Sequence, residues 1–348
     1  MGIGRHGSDG GRRGGDTPVL RGSMVERYVV VGSMLTAAAA LVATLLAATA
    51  AHWWIGDLAV HFRLQYAAAA LVALIVLAWV RHWSWAGAAL VALILDVLAA
   101  APVLAPPHLV QRAVAGTVAR EPLRIASINV LFHNTHYGRV IAFLQRARPD
   151  AAVLVEITPR WRDALAAPLR GELPYQFYAA GWPRQAGRDV DSHGTLLLSR
   201  WPIEHVVPIA MGPHADPTVV AALDIRGRTL HLIGVHPSWP IGPAVSAERN
   251  RELRRLAALA RSTPAPIVMA GDFNVTPFSP YFRTFVAASG LRWAAQGAGW
   301  QPTWPTFLPP GGIQIDHAFV SPAIAVRRFA RGPGIGSDHR PILVDLEW

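Results

Sequence analysis

The sequence predicts an all-α membrane region followed by an α/β domain, and three observations carry that reading. Of 348 residues, 52% are hydrophobic and only 16% are charged, against roughly 25% charged in soluble domains. The apolar excess lies before Pro107 in long runs, whereas from Glu121 onward it breaks into short strand-like runs separated by polar loops. The length of 348 residues, at about 150 per domain, supports two units better than one core. The formal charge of +10 comes entirely from Arg, because the chain has no Lys, and it weakly favours a polyanionic partner. With 0 Cys, disulfides, thiolate metal sites and thiol nucleophiles are excluded. Chemistry must come from oxygen and imidazole groups.

Residues 1–27 are rich in Gly and Arg and are expected to form a disordered basic tail. Residues 28–50 carry no charge and are long enough for a membrane span, which needs about 20 residues of helix. Residues 64–80 and 84–105 repeat the pattern, the latter carrying one acid, Asp96, and ending before Pro106 and Pro107. Asp96 is expected to make a contact within the helix bundle. Ala48 and Ala50 give an A-x-A-like cleavage site, but the two further runs favour a multi-pass region, 28–107, over a signal peptide. Arg5, Arg12, Arg13, Arg21 and Arg27 precede the first span, and only Arg63 lies in the loop after it. The positive-inside rule then places the tail in the cytoplasm. Three crossings put the chain after a 108–120 linker on the outer side of the cell membrane.

In residues 121–348, LRIASINV, AAVLVEI, GTLLLS, VVAALDI, LHLIGVH, PIVMAGDF, DHAFVS and PILVDL read as strands bounded by Gly, Pro, Asp or Arg. Helical patterns lie between some of them, at 139–148, 247–261 and 280–289. Two sheets packed face to face are an economical way to bury such a set. Polar residues fall at the strand ends. Asn129 ends the first strand, Glu156 the second and His236 the LHLIGVH strand; Asp272 and Asn274 close PIVMAGDFN, Asp316 opens DHAFVS, and Asp338 with His339 precedes the last strand. Strand ends converge on one rim, where such groups can meet around a ligand. Oxygen ligands with few nitrogens and no sulfur suit Mg²⁺, with Mn²⁺ as the alternative.

In this order GDFN, IDH and GSDHRPI, with SIN and VEI upstream, resemble the endonuclease/exonuclease/phosphatase family of metal-dependent phosphoesterases over residues 121–348. The resemblance implies a four-layered α/β sandwich. It implies that Asn129 and Glu156 sit in a metal site, with Glu156 the principal carboxylate, and that Asp338 is a further metal or phosphate-site acid. Asp272 would orient or deprotonate the attacking water while Asn274 holds a phosphate oxygen. If GDFN is extended, Asp272 and Asn274 point the same way. His339 would be the phosphate-facing imidazole and Asp316 its orienting partner. His236 takes the place of the mid-domain His, although GVHPSWP departs from the usual Thr-His-Leu-like setting.

The expected activity is therefore phosphoester hydrolysis by an activated water, of phosphodiesterase or nuclease type. Phosphomonoesterase and phospholipase C or sphingomyelinase activities are the alternatives. A non-catalytic binding module is the remaining one, and it would have predicted loss of Glu156, Asp272 or His339. Expected partners are a phosphoester substrate, nucleic acid or lipid, and the bilayer itself; nothing in the sequence identifies a protein partner. Selectivity is assigned to the loops 181–192, 237–245 and 289–312, the last holding Trp293, Trp300 and Trp304. His193 is expected to line the cleft, and His133, His136, His205 and His214 to lie on the surface. Arg249, Arg251, Arg254 and Arg255 read as a solvated helix face.

Overall fold

Small and large residues in the first third segregate with the helical period, and the helices assemble accordingly. The computed structural model describes residues 24–105, 121–181, 193–308 and 311–348. Most of the expected tail, the linker and nearly all of the 181–192 loop lie outside those residues. α1 (Met24–Ala48), α2 (Trp54–Val60), α3 (Arg63–Trp79) and α4 (Trp83–Leu104) come first, and α1, α3 and α4 pack on one another. Their buried positions recur every three or four residues: Ala37, Ala40, Thr44 and Ala47; Ala67, Ala70 and Ala73; Ala86, Ala89, Ala92 and Asp96. Leu35, Leu45, Val72, Ile75, Ile94 and Leu98 face outward. This inverts a water-soluble bundle and is the pattern of helices packed in hydrocarbon, where small residues allow backbones to approach. Asp96 accepts from Thr44 at 2.7 Å and from Arg63 at 2.7 Å, the bundle contact expected of it.

α1 and α4 are long and apolar enough to cross a membrane. α3 has 17 residues and meets the same test only together with α2, from which it is bent by 67°. The expected spans 28–50, 64–80 and 84–105 thus fall on α1, α3 and α4.

The second part contains β1 (Pro122–Asn129), α5 (Tyr137–Ala147), β2 (Ala151–Ile157), α6 (Pro159–Leu169), β3 (Tyr175–Ala179), β4 (Gly194–Ser199), β5 (Ile203–Ile209), β6 (Thr218–Ile225) and β7 (Arg228–Val235). It continues through α7 (Pro243–Ser262), β8 (Ile267–Asp272), α8 (Pro280–Ser289), β9 (Arg292–Trp293), β10 (Asp316–Val320), β11 (Ala325–Arg331) and β12 (Ile342–Glu347). Two six-stranded sheets form, in the orders β11-β12-β1-β2-β4-β3 and β5-β6-β7-β8-β10-β9. The two-residue period of a strand sorts β2: Ala151, Val153 and Val155 enter the core shared with the other sheet, while Ala152 and Leu154 meet Val140, Leu144 and Trp161 of α5 and α6. Leu253, Leu256 and Phe285 of α7 and α8 belong to the core on the second sheet. The layers are helix, sheet, sheet, helix, as expected. The sheets approach closely at Gly234 on β7, where a Cβ would lie 2.9 Å from Val153 Cγ1.

Strand direction then collects the polar ends. β1 runs parallel to β2 and antiparallel to β12, β2 is antiparallel to β4, β7 is parallel to β8, and β8 is antiparallel to β10. The C-terminal ends of β1, β2, β7 and β8 therefore share a rim with the N-terminal ends of β4, β6, β10 and β12, since β6 and β7 are antiparallel as well. β1 and β2 touch β8 across the interface, so the two rims meet.

Candidate active site

Glu156 stands in a β-bulge. The β2–β4 register slips between Leu154 and Ile157, and Glu156 takes φ +59°, a conformation that costs a non-glycine residue roughly 1 to 3 kcal/mol and recurs at functional sites. The turned carboxylate is held on both oxygens: Asn129 Nδ2 donates to Oε1 at 2.8 Å and the Phe132 backbone N–H to Oε2 at 3.1 Å. The same Asn129 amide reaches Asp272 Oδ2 at 3.2 Å, and its Oδ1 accepts from the Leu131 N–H at 3.0 Å. One buried amide thus joins the acids of β2 and β8.

Two His–Asp pairs flank Asp272. His339 Nδ1–H donates to Asp316 Oδ2 at 2.9 Å, and His236 Nδ1–H to Asp216 Oδ2 at 2.8 Å. This leaves both Nε2 atoms 3.6 Å from Asp272 Oδ2, and His236 Nε2 is also 3.9 Å from Glu156 Oε1. Burial disfavours the imidazolium of His339, but Asp316, Asp272 and Asp338 outweigh it and raise its pKa to about 10. Burial likewise opposes protonation of His236, and Asp216, Asp272 and Glu156 prevail, raising it to about 9. Burial pushes Asp272 above the usual carboxylate range, with Asp316 adding to the rise and His339 opposing it. The arrangement sets a basic carboxylate between two cationic imidazoles, the separation of acid and base that hydrolytic chemistry needs.

The rim gathers Asn129, Glu156, His236, Asp272, Asp316 and His339 as expected. GDFN differs from the extended reading. β8 ends at Asp272, Asn274 takes φ +51°, and its N–H turns back to Asp272 Oδ1 at 2.9 Å. Asn274 Nδ2 donates to the Pro237 carbonyl at 3.0 Å, beside His236, so the two side chains do not run parallel. Asp tolerates this because its side chain satisfies the turn amide that a strand partner would otherwise take. Asp338 Oδ2 accepts from the Trp304 indole at 2.9 Å, tying the 289–312 loop to the site. Trp300 stacks on Phe278 at 5.2 Å and Trp293 is buried against His317, so these two pack the domain.

Asp216 is the principal residue that sequence reading missed. It is 1% exposed and pairs with two imidazoles at once, through Oδ1 with His193 Nδ1 at 2.7 Å and through Oδ2 with His236, while the Glu156 backbone N–H donates to Oδ2 at 3.2 Å. Burial would raise its pKa, yet His236 and His193 hold it well below the usual range. The sole signal is position: HADP lies immediately before β6, at the same rim. Asp216→Asn is expected to lower kcat roughly 10- to 100-fold, by analogy with residues that orient catalytic or ligating His, and to lower the melting temperature as well, because two buried imidazoles lose their acid; steady-state kinetics with a thermal melt checks it. His193 is buried at the cleft, and His133, His136, His205 and His214 are exposed, all as expected. Arg249 is not: it is fully buried, whereas Arg251, Arg254 and Arg255 are exposed.

The donor chemistry fits a hard divalent cation. Glu156 and Asp272 present carboxylate oxygens to one cluster, with Glu156 the more open to solvent, and the chain has no Cys; Asn129, expected in the metal site, turns its Nδ2 toward both acids and its Oδ1 toward the Leu131 N–H. Asp272, Asp316 and His339 also offer ligand atoms within 4.8 Å of one another, as do His193, Asp216 and His236. In each triplet one His–Asp hydrogen bond already engages a ring nitrogen and a carboxylate oxygen: His339 Nδ1 with Asp316 Oδ2, and His236 Nδ1 with Asp216 Oδ2.

A two-sheet sandwich with acids and imidazoles on one rim defines a phosphoesterase-type scaffold. This chain belongs to the endonuclease/exonuclease/phosphatase family, whose profile matches residues 126–339. Members of that family generally hydrolyse phosphoesters and are divalent-metal dependent. The fold is similar to an endonuclease/exonuclease/phosphatase from Beutenbergia cavernae (TM-score 0.54, 20% identity, 65% of this chain and 72% of that one). It is likewise similar to a humanized D. rerio TDP2 (TM-score 0.52, 20% identity, 65% and 98%) and to sphingomyelinase C from Streptomyces griseocarneus (TM-score 0.51, 18% identity, 65% and 99%). No curated protein matches this chain.

Proposed function

We propose that this protein is a membrane-anchored, divalent-metal-dependent phosphoester hydrolase of phosphodiesterase type. The observation that carries the reading is the set of two carboxylate-held imidazoles, each 3.6 Å from the buried Asp272. Asp272, raised in pKa, orients the water and accepts its proton. His339 and His236, held cationic, face the charge that develops on the phosphoryl oxygens, and either can return a proton to the leaving oxygen. Glu156 is the residue that would hold Mg²⁺ or Mn²⁺, oriented by the Asn129 amide that donates to it, with Asp338 a further acid of the site. A bound divalent cation polarises the phosphate and offsets its negative charge.

α1, α3 and α4 are read as three spans of the cell membrane. The α1–α3 connection and the α/β domain lie at the same end of the bundle, as an odd number of crossings requires, because Gln65 at the start of α3 donates to the Gly311 carbonyl at 2.7 Å. With an Arg-rich tail in the cytoplasm, the catalytic domain is extracytoplasmic. A lipid phosphodiester is the second reading, supported by the same junction: Phe307 and Leu308 are 81% and 50% exposed, beside the Gly311 that meets α3.

The test is hydrolysis by the full chain in lipid nanodiscs, with Mg²⁺ or Mn²⁺, of single-stranded DNA, duplex DNA, RNA, sphingomyelin and bis-p-nitrophenyl phosphate. Turnover is expected on at least one phosphodiester, lost on chelation and restored by added metal. Sphingomyelin cleavage alone would select the second reading. Metal binding without turnover on any of them would favour a non-catalytic module.

A further inference from the structure

α2 is a seven-residue helix between the first two apolar helices, and it docks on the segment that follows GDFN. Its Asp57 is 1% exposed and pairs with Arg249 of α7, which is fully buried. The other Asp57 oxygen accepts from the Ser279 hydroxyl at 2.9 Å. Arg249 in turn donates to the Asn274 main-chain carbonyl and to Asn250 Oδ1 at 2.8 Å. Beside this pair, His61 Nδ1 meets the Thr276 hydroxyl at 2.9 Å, and the Tyr281 hydroxyl donates to the Ala51 carbonyl at 3.2 Å. Ala47, Ala50 and Val60 close over Phe278 in one apolar cluster.

These contacts are unlike those of a tether. A buried guanidinium is tolerated only with a partner of opposite charge and its donors occupied, and the catalytic domain supplies no acid at hydrogen-bonding distance from Arg249 among the described residues; the membrane region does. The carbonyl it grips belongs to Asn274, whose N–H caps Asp272 Oδ1 and whose left-handed φ of +51° needs external support. The chain of contacts runs Asp57, Arg249, Asn274, Asp272, from the membrane region to the base of the proposed reaction.

We propose that α2 is a working part of the active site: Asp57 and Arg249 are positioning residues that hold the Asp272–Asn274 turn, so that hydrolysis requires the membrane region docked on the domain. The inference rests on the phosphoester hydrolase reading for its kinetic consequence and is independent of it for its structural one. It predicts that the domain severed near Glu121 is defective even when folded, since Arg249 then keeps its charge and loses its partner.

The test uses the full chain in nanodiscs, with Asp57→Asn, Asp57→Glu and the charge-free pair Asp57→Leu with Arg249→Met. Two quantities are read: kcat and KM on bis-p-nitrophenyl phosphate, and amide hydrogen exchange of the peptide covering 272–279, with the β2 peptide as internal control. For Asp57→Asn, kcat is expected to fall roughly 10- to 100-fold at nearly constant KM, as for a small displacement of a reacting group, and exchange at 272–279 to quicken while β2 is unchanged. The charge-free pair is expected to restore the melting temperature without restoring kcat, which separates positioning from stability, and Asp57→Glu to fall between. Wild-type kcat in Asp57→Asn or in the charge-free pair, or unchanged exchange at 272–279, would overturn the proposal. If the charge-free pair does not fold, Asp57→Glu decides by the same readouts. If the wild-type chain hydrolyses nothing, the hydrolase reading fails, and the exchange comparison alone still decides the coupling.

Discussion

Glu156→Gln is expected to reduce metal-dependent turnover by roughly 10²- to 10³-fold or more, since a bound cation contributes several kcal/mol of charge stabilisation to such reactions. Gln is close in shape, so the packing around the bulge persists. What changes is charge and bonding. One of the two oxygens becomes an NH₂ group, a donor only, so one of the two bonds accepted from Asn129 Nδ2 and the Phe132 N–H loses its acceptor. A carboxylate ligand is replaced by a neutral amide that binds Mg²⁺ poorly. Calorimetric titration with Mn²⁺ alongside steady-state kinetics checks this: weaker metal binding together with lost kcat is the expected result. Full activity would remove Glu156 from the site.

His339→Ala carries the second large effect, a fall in kcat of roughly 10²- to 10⁴-fold, the range for a positioned acid–base group. The loss exceeds that of a simple deletion. Asp316 is fully buried, and its Oδ2 has His339 Nδ1 as its partner, so truncation leaves an acid without its cation. Asp272 loses one of its two flanking imidazoles at the same time. Asp316→Asn should produce a smaller loss with the fold retained, because the ring remains but its orientation and charge are no longer fixed. Equal losses for the two variants would mean that Asp316 does more than orient.

Much of this site was legible because its residues cluster where short apolar runs stop. Asn129, Glu156, His236, Asp272, Asp316 and His339 each lie at or within a few residues of a strand end, and strand ends in a packed sheet have only two rims to occupy. Asp216 was not legible. It lies in a proline-flanked loop with no apolar contrast of its own, and it matters because β6 runs antiparallel to β7 and brings it to His236. The turn at Asn274 was misread for a related reason. An alternating pattern marks a strand only while a neighbouring strand supplies hydrogen bonds, and the β8–β10 pairing stops at Asp272.

Arg249 shows where reading from sequence ends. In AERNRELRRL it stands four residues before Leu253 and seven before Leu256, on the buried face of α7, while Arg251, Arg254 and Arg255 are exposed. The helical period places it on that face but does not say what meets its charge there. Its burial depends on Asp57, 192 residues earlier in the chain, reaching it from the other structural unit. Sequence by itself determined the division into an apolar helical part and an α/β part, and most of the polar residues on its rim, because hydrophobic period and strand-end chemistry are local properties; the layered sandwich was implied by the resemblance of its motifs. Tertiary structure alone decided that Asp216 joins two histidines, that Asn274 turns back on Asp272, and that the helical part closes on the site through Asp57 and Arg249. Those features depend on which distant charges meet in a space without water, and pairing across such distances leaves no trace in either local pattern.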